Sequence, residues 1–299
     1  MPDSLYHYTT AAGLLGILEP VPNTEDLGLA IDTTSERSFS LWATDARYLN
    51  DSAELTHAAD KLAGAIINEL QHVDDGDRKE RLRQLAEQIR KGDFTEDDGQ
   101  VTRLTHTAYV ACFCTDGDLL SQWRGYGANG GGYSVEFDSK VLRDILVPAL
   151  RAGSTTVGYQ IGTNLVKVNY DLDDQELRAA AKQIVESDPG WELSRAVGVL
   201  AQFKHDAFSE EDEWRLIHPA GDFYAPLQFR PGPNGIVPFI KLIRPQPFDS
   251  RVFVPSAIKS VTVGPGPDQS LREEAVRQLL AQRGFFDTEV KPSRATYKG

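Results

Sequence analysis

Residues 209–218 read SEEDEWRLIH, an acidic run that passes without a break into an apolar strand pattern. Glu211 and Glu213 stand two apart at the entry of that strand, so their side chains point to one face. Two carboxylates so placed repel, and one then holds its proton longer or accepts a hydrogen bond from a ligand hydroxyl. A solvated strand entry, with Glu210 and Asp212 as further surface charges, fits the same spacing. Spacing alone leaves both readings open. His7, between Tyr6 and Tyr8, is either a half-buried structural histidine or a ligand contact. In LSQWRGYG, Trp123 and Tyr126 are either core or an aromatic wall for a planar ring, and Arg124 meets either a ligand phosphate or a surface carboxylate.

Other chemistries find less support. The glycine-rich GYGANGGGY runs into YSVEFD, an evident strand, whereas nucleotide-binding glycine loops open a helix. A hairpin turn at Asn129-Gly130 is the expectation. Cys112 and Cys114 have no second cysteine pair, and no two histidines fall at the i, i+4 spacing of a helical zinc motif, so no metal is expected. The two thiols read as buried structural groups, and residues two apart on one strand face do not close an unstrained disulfide. A Gly-x-Ser-x-Gly nucleophile elbow is absent. A metal-dependent nuclease would need a second acidic cluster beside Glu211 and Glu213.

Positioning any of these groups takes a sizeable scaffold. The 299 residues are 40% hydrophobic and 25% charged, ordinary values for a globular chain. A net charge of -13 argues against broad, salt-driven affinity for nucleic acid and leaves room only for a local basic groove. Two neighbouring cysteines, no basic-then-apolar N-terminus and no membrane-length apolar run point to a cytoplasmic protein that does not engage a membrane. The opening residues read as a strand with Leu5, His7 and Thr9 on one face and Tyr6 and Tyr8 on the other, then a short helix stopped by Pro20. A strand is expected over Phe39–Thr44. Helical patterns over about 51–92 and 173–208 read as insertions packed on a sheet. Further strands are expected at TAYVACFC, GGYSVEFD, Leu165–Tyr170, Glu213–Ile217, Ile236–Ile243, Ile258–Val263 and Glu289–Lys291, with helices over Lys140–Arg151 and Leu271–Arg283. The sum is one α+β domain over residues 1–299, since strands and helices mix without strict alternation.

The stretches LYHYTT…GLLGILE, LWATDARYLNDSAE, ACFCTDGDLLSQWRGYG…GGYSVEFD, DEWRLI and IKSVTVGP resemble, in order and spacing, domain-of-unknown-function family 2971. That family looks like a distant relative of the ADP-ribosyltransferases, and YHYT followed by GLLGILE is similar to the start of the DarT-like enzymes. The resemblance implies a split mixed β-sheet that binds NAD as substrate and passes ADP-ribose to a protein or nucleic-acid acceptor, in a toxin, phage-defence or regulatory setting. It also implies roles. His7 would meet a ribose hydroxyl, one of Trp42, Trp123 or Tyr126 would pack on nicotinamide, and Glu213 would hold the nicotinamide ribose, with Glu211 positioning the acceptor. Thr9 and Arg215 would lie around the NAD, and Asn50 and Asp51 would be rim groups or helix caps. A non-catalytic binding module that keeps the pocket for a nucleotide or a partner is the alternative.

Overall fold

Strand pairing leaves one edge of a central strand shared between two partners, and the architecture follows from that division. A computed structural model of the protein describes residues 1–19, 39–49, 54–97, 103–126, 131–151, 157–160, 163–171, 173–219, 223–224, 226–232, 235–244 and 256–296. Along the chain run β1 (Ser4–Thr9), α1 (Ala11–Ile17), β2 (Ser40–Asp45), α2 (Glu54–His57), α3 (Ala59–Glu69), α4 (Gly76–Arg90), β3 (Thr95–Asp97), β4 (Arg103–Thr105), β5 (Ala108–Phe113) and α5 (Leu120–Tyr126). Then come β6 (Tyr133–Asp138), β7 (Val147–Arg151), β8 (Val157–Gln160), β9 (Asn164–Lys167), α6 (Asp174–Val185), α7 (Glu192–Leu200) and β10 (Trp214–Pro219). The remainder is β11 (Phe223–Tyr224), β12 (Gln228–Gly232), β13 (Gly235–Ile243), β14 (Ile258–Val263), α8 (Gln269–Gln282) and β15 (Glu289–Pro292).

Two sheets dominate a mixed α+β fold. One has the order β1-β6-β14-β15, the other β12-β13-β2-β5-β10-β9. Alternation along the six-stranded sheet sends Ala111, Phe113, Leu216, Ile240 and Leu242 toward Leu5, Val135, Phe137 and Val261 of the four-stranded sheet. The opposite face sends Val110 and Ile217 into a second core built with Leu62, Ile66, Leu82, Leu177 and Val197. The two helical stretches read from the sequence therefore do pack on a sheet, because their apolar stripes need that face. Among the described residues, no helix is long and apolar enough to cross a membrane.

Two expectations are corrected. Residues 140–151 do not form a helix: a 3-10 turn covers Val141–Asp144, and Val147–Arg151 is strand β7, paired with β8 and β11. Mutual backbone hydrogen bonds between Leu146 and Ile243 start that strand, so tertiary pairing overrides a sequence that also fits a helical stripe. Nor do β5 and β6 form a hairpin, since they belong to different sheets and α5 lies between them. Asn129 and Gly130 lie outside the described residues.

The glycines of the GLLG stretch in α1 have a steric origin. Thr10 caps the helix by accepting from the Gly13 N–H at 3.2 Å. A Cβ on Gly13 would lie 1.9 Å from Thr9 Oγ1, and one on Gly16 would lie 2.1 Å from the Trp42 ring. Thr9 and Trp42 thus occupy the room that two missing methyl groups leave. Gly16→Ala should destabilise the fold by about 1–3 kcal/mol through this overlap, read by urea unfolding, whereas Ala12→Ser on the exposed side of the same helix should cost under about 0.5 kcal/mol.

Candidate functional site

β5 gives one edge to β10 along its whole length. Its other edge pairs with β2 only at Thr44↔Val110 and Asp45↔Tyr109, and further along it meets β1 at Tyr6↔Cys114. Continued, the two ladders would set Trp42 and Tyr8 both opposite Cys112, which is impossible. The strands therefore fork there, and the Cys112 carbonyl would lack a partner. His7 supplies one: its Nδ1 donates to the Cys112 carbonyl at 2.8 Å, with its ring tilted against Phe113. Because a carbonyl only accepts, that bond fixes the tautomer and leaves Nε2 with a lone pair. Burial lowers the His7 pKa, the bond to Cys112 opposes that, and the Arg230 charge lowers it further, so the ring is neutral.

The second branch of the site begins with the acidic run. Residues 206–211 wind into a 3-10 turn, and Asp212 adopts a left-handed conformation (φ 41°) that ends it and turns Glu213 into the line of β10. Asp212 is held there by Lys167 at 2.7 Å and by the Thr115 hydroxyl at 2.7 Å. Glu213, 2% exposed, accepts from Arg215 Nε at 2.8 Å and Nη2 at 3.1 Å and from Lys204 Nζ at 2.9 Å, while its own N–H donates to the Tyr170 hydroxyl. Lys204 also bonds Glu211 at 2.9 Å, and Arg215 donates to the Ala201 carbonyl. Two carboxylates thus meet two cations, and the group is electrically closed. Burial alone would raise the Glu213 pKa, but Arg215 and Lys204, with a hydrogen bond from the Cys112 side chain, bring it down from 4.5 to about 2.

Cys112 joins the branches, its carbonyl bound to His7 and its thiol to Glu213. It is half-buried and Cys114 is buried; neither is in a disulfide. Tyr126 lies close enough to Cys112, Glu213, Lys204 and Glu211 for them to act on its phenol, which burial above all pushes up. Trp123, fully buried, is core: it packs on Tyr8 and donates to Asp118. Trp42 stacks on Phe239, and its indole N–H is buried without a partner among the described residues. Thr9, half-buried, closes the end of β1 against α1. Asn50 and Asp51 lie outside the described residues. The structure therefore gathers Glu211, Glu213, Arg215 and Tyr126 around the Cys112 side chain and His7 on its carbonyl, while Trp123 is enclosed with Tyr8 and Cys114 in a small cluster against which Tyr126 also packs.

Sequence reasoning missed Lys204 and Arg230. Lys204, 3% exposed, is nine residues from Glu213 and no periodicity links them; the only available signal is that two carboxylates taken into a core require compensating cations. Arg230 reaches Thr44 Oγ1 at 3.0 Å from a strand that lay outside the expected set.

A family model described as Protein of unknown function (DUF2971) matches residues 122–216. That stretch runs from α5 into β10 and so carries Tyr126, Lys204, Glu211, Glu213 and Arg215, but not His7 or Trp42. No curated protein and no solved structure matches the chain.

Removing Lys204 should expose the balance of this group. Lys204→Met leaves Glu211 and Glu213 with Arg215 alone and should cost roughly 3–5 kcal/mol in unfolding free energy. Because the Glu213 pKa is depressed, its stabilisation is complete above about 4.5 and lost as pH falls from there toward about 2. Unfolding free energies measured from pH 7 to pH 2.5 should fall more steeply in that window for wild type than for Glu213→Gln.

Proposed function

We propose that the fork between β1 and β2 binds NAD and that the chain transfers its ADP-ribose group to a protein or nucleic-acid acceptor. One observation carries this reading: His7 sits in the parting of the strands as a neutral ring with Nε2 available to a hydroxyl, and it shares Cys112, through the backbone carbonyl, with the ionised Glu213, which meets the thiol. The parting of β1 and β2 along β5 supports this reading, which takes its split sheet from the resemblance to ADP-ribosyltransferases. Cleaving the bond from ribose to nicotinamide builds positive charge on the sugar, and a fixed carboxylate stabilises that charge without a metal. Glu213 is held ionised and rigid at the head of β10, and Glu211, at 13% against 2% exposure, is the carboxylate more open to an acceptor. Tyr126 and Trp42 are the aromatic candidates for the nicotinamide; Trp123 is not, because its ring is already enclosed.

The second reading, a nucleotide- or partner-binding module without turnover, is favoured by a different observation. Both Glu213 oxygens are engaged, and at 2% exposure the carboxylate reaches a ligand only if Lys204 or Arg215 yields.

Incubation with NAD labelled in the nicotinamide ring separates the two. The expected outcome is nicotinamide release by wild type, lowered at least about 10²-fold in Glu213→Gln. Since Glu213 also supports the fold, His7→Gln is measured beside it, with melting temperatures for all three proteins. NAD-dependent thermal stabilisation without release would establish the binding module instead. Neither stabilisation nor release in wild type would remove NAD from consideration.

A further inference from the structure

Arg230, Arg272 and Arg283 each keep a buried nitrogen without a partner among the described residues, and Arg230 is the one whose charge acts on His7. It projects from β12, an edge strand, and half-buries its guanidinium beside β2, where Nη2 donates to Thr44 Oγ1 at 3.0 Å. Its Nε is buried without a partner, and Arg230 makes no ion pair among the described residues. The chain carries 44 acidic against 31 basic residues, so carboxylates to pair it are not scarce. Lys241, on the neighbouring strand, shows the ordinary arrangement, bonded to Glu19 at 2.7 Å. A charge taken partly out of water without a counter-ion costs free energy that this site retains.

The neighbours of Arg230 narrow what would repay that cost. Trp42 and Thr44 are two apart on β2 and share a face, so the strand face that holds the hydroxyl partner of Arg230 also carries a second buried, unpartnered donor, the indole N–H. His7 is near enough for the Arg230 charge to help keep its ring neutral, with Nε2 left to accept because Nδ1 donates to Cys112. Two unfilled donors of one kind and a nearby acceptor suit a ligand that carries anionic oxygens and a hydroxyl together. A planar guanidinium matches the geometry of phosphate. A bare carboxylate or sulfate would leave His7 Nε2 without a donor.

We infer that Arg230, with the Trp42 indole N–H, forms the phosphate-binding position of the fork, and that the ligand is a phosphorylated sugar of the nucleoside diphosphate class whose hydroxyl donates to His7 Nε2. This rests on the reading of the fork as a nucleotide site, but not on any cleavage of NAD. Arg230 is a specificity-determining residue here: its loss costs affinity for the phosphate-bearing ligand and leaves the fold in place, because it supports no ion pair.

The test is titration calorimetry of the full chain with inorganic pyrophosphate, ADP-ribose and nicotinamide riboside, for wild type, Arg230→Met, Arg230→Lys and His7→Gln, with melting temperatures of the unliganded proteins. Wild type should bind pyrophosphate and ADP-ribose. Arg230→Met should lose at least about tenfold for both with an unliganded melting temperature near that of wild type, and Arg230→Lys should recover part of it. His7→Gln should weaken ADP-ribose and leave pyrophosphate unchanged. Nicotinamide riboside, which carries no phosphate, should be indifferent to Arg230. Equal affinity of wild type and Arg230→Met for pyrophosphate and ADP-ribose, or no binding of either by wild type, overturns the assignment. Arg230-dependent pyrophosphate binding in a protein that leaves NAD intact upholds it while removing the transferase reading.

Discussion

A single side-chain hydrogen bond, from His7 to the carbonyl of Cys112, makes the fork between the two sheets tenable. An edge of β5 that passes from one partner strand to another must leave backbone groups unpaired at the crossover, and an unpaired buried carbonyl costs free energy of the order of a lost hydrogen bond. By spending its Nδ1 proton there, the imidazole allows β1 and β2 to diverge instead of competing for the same register. The opening between them and the histidine inside it are two aspects of one structural solution. A ring fixed in one tautomer by the backbone is also a ring whose other nitrogen has a defined hydrogen-bonding role. Scaffold and recognition are joined at that atom.

The charged residues around Cys112 divide into two kinds of electrostatics. Around Glu213 every charge is answered: Arg215 embraces it side-on, Lys204 bridges it to Glu211, and remaining donors are taken up by backbone and phenol oxygens. Such a closed group tolerates burial because the mutual attraction of its members offsets the desolvation of each. Arg230 stands open by comparison, with one hydroxyl partner. In a chain with an excess of carboxylates, the closed group is what burial demands; Arg230 shares its open state with Arg272 and Arg283 and differs from them in acting on His7.

Legibility in the sequence tracked how local the governing interaction is. The helices over 54–90 and 174–200 were visible as stripes of 3.6-residue period because their own apolar faces determine where they pack. Strand β14, short and rich in β-branched residues, was visible for a similar reason, and β10 through the apolar run Trp214–Ile217 broken only by Arg215. Residues 141–151 were not, since their apolar spacing suits a helix as well as a strand and the choice was made by Ile243, about a hundred positions away. The separation of β5 from β6 into different sheets was hidden behind a turn signal that usually closes a hairpin. Within the site, Glu213 and Arg215 could be found because period-two alternation places them on one face, whereas Glu211 belongs to the turn before Asp212 and reaches Glu213 through Lys204 instead of through the strand; Trp123, in a motif of aromatic and glycine residues, is core, and nothing in its local sequence distinguishes a wall from an interior.

The glycines of α1 show how a motif can carry a site without touching a ligand. Gly13 and Gly16 lie one turn apart, and the missing methyl groups admit Thr9 from the end of β1 and the ring of Trp42 from β2. A helix with larger residues at these positions would stand farther from both strands, and the indole edge would lose the surface that holds its plane. Trp42 Nε1 would then no longer share a fixed geometry with Thr44 and Arg230. Side chains that never meet the ligand thus set the orientation of one that would, and a rigid element one layer back determines the precision of the pocket.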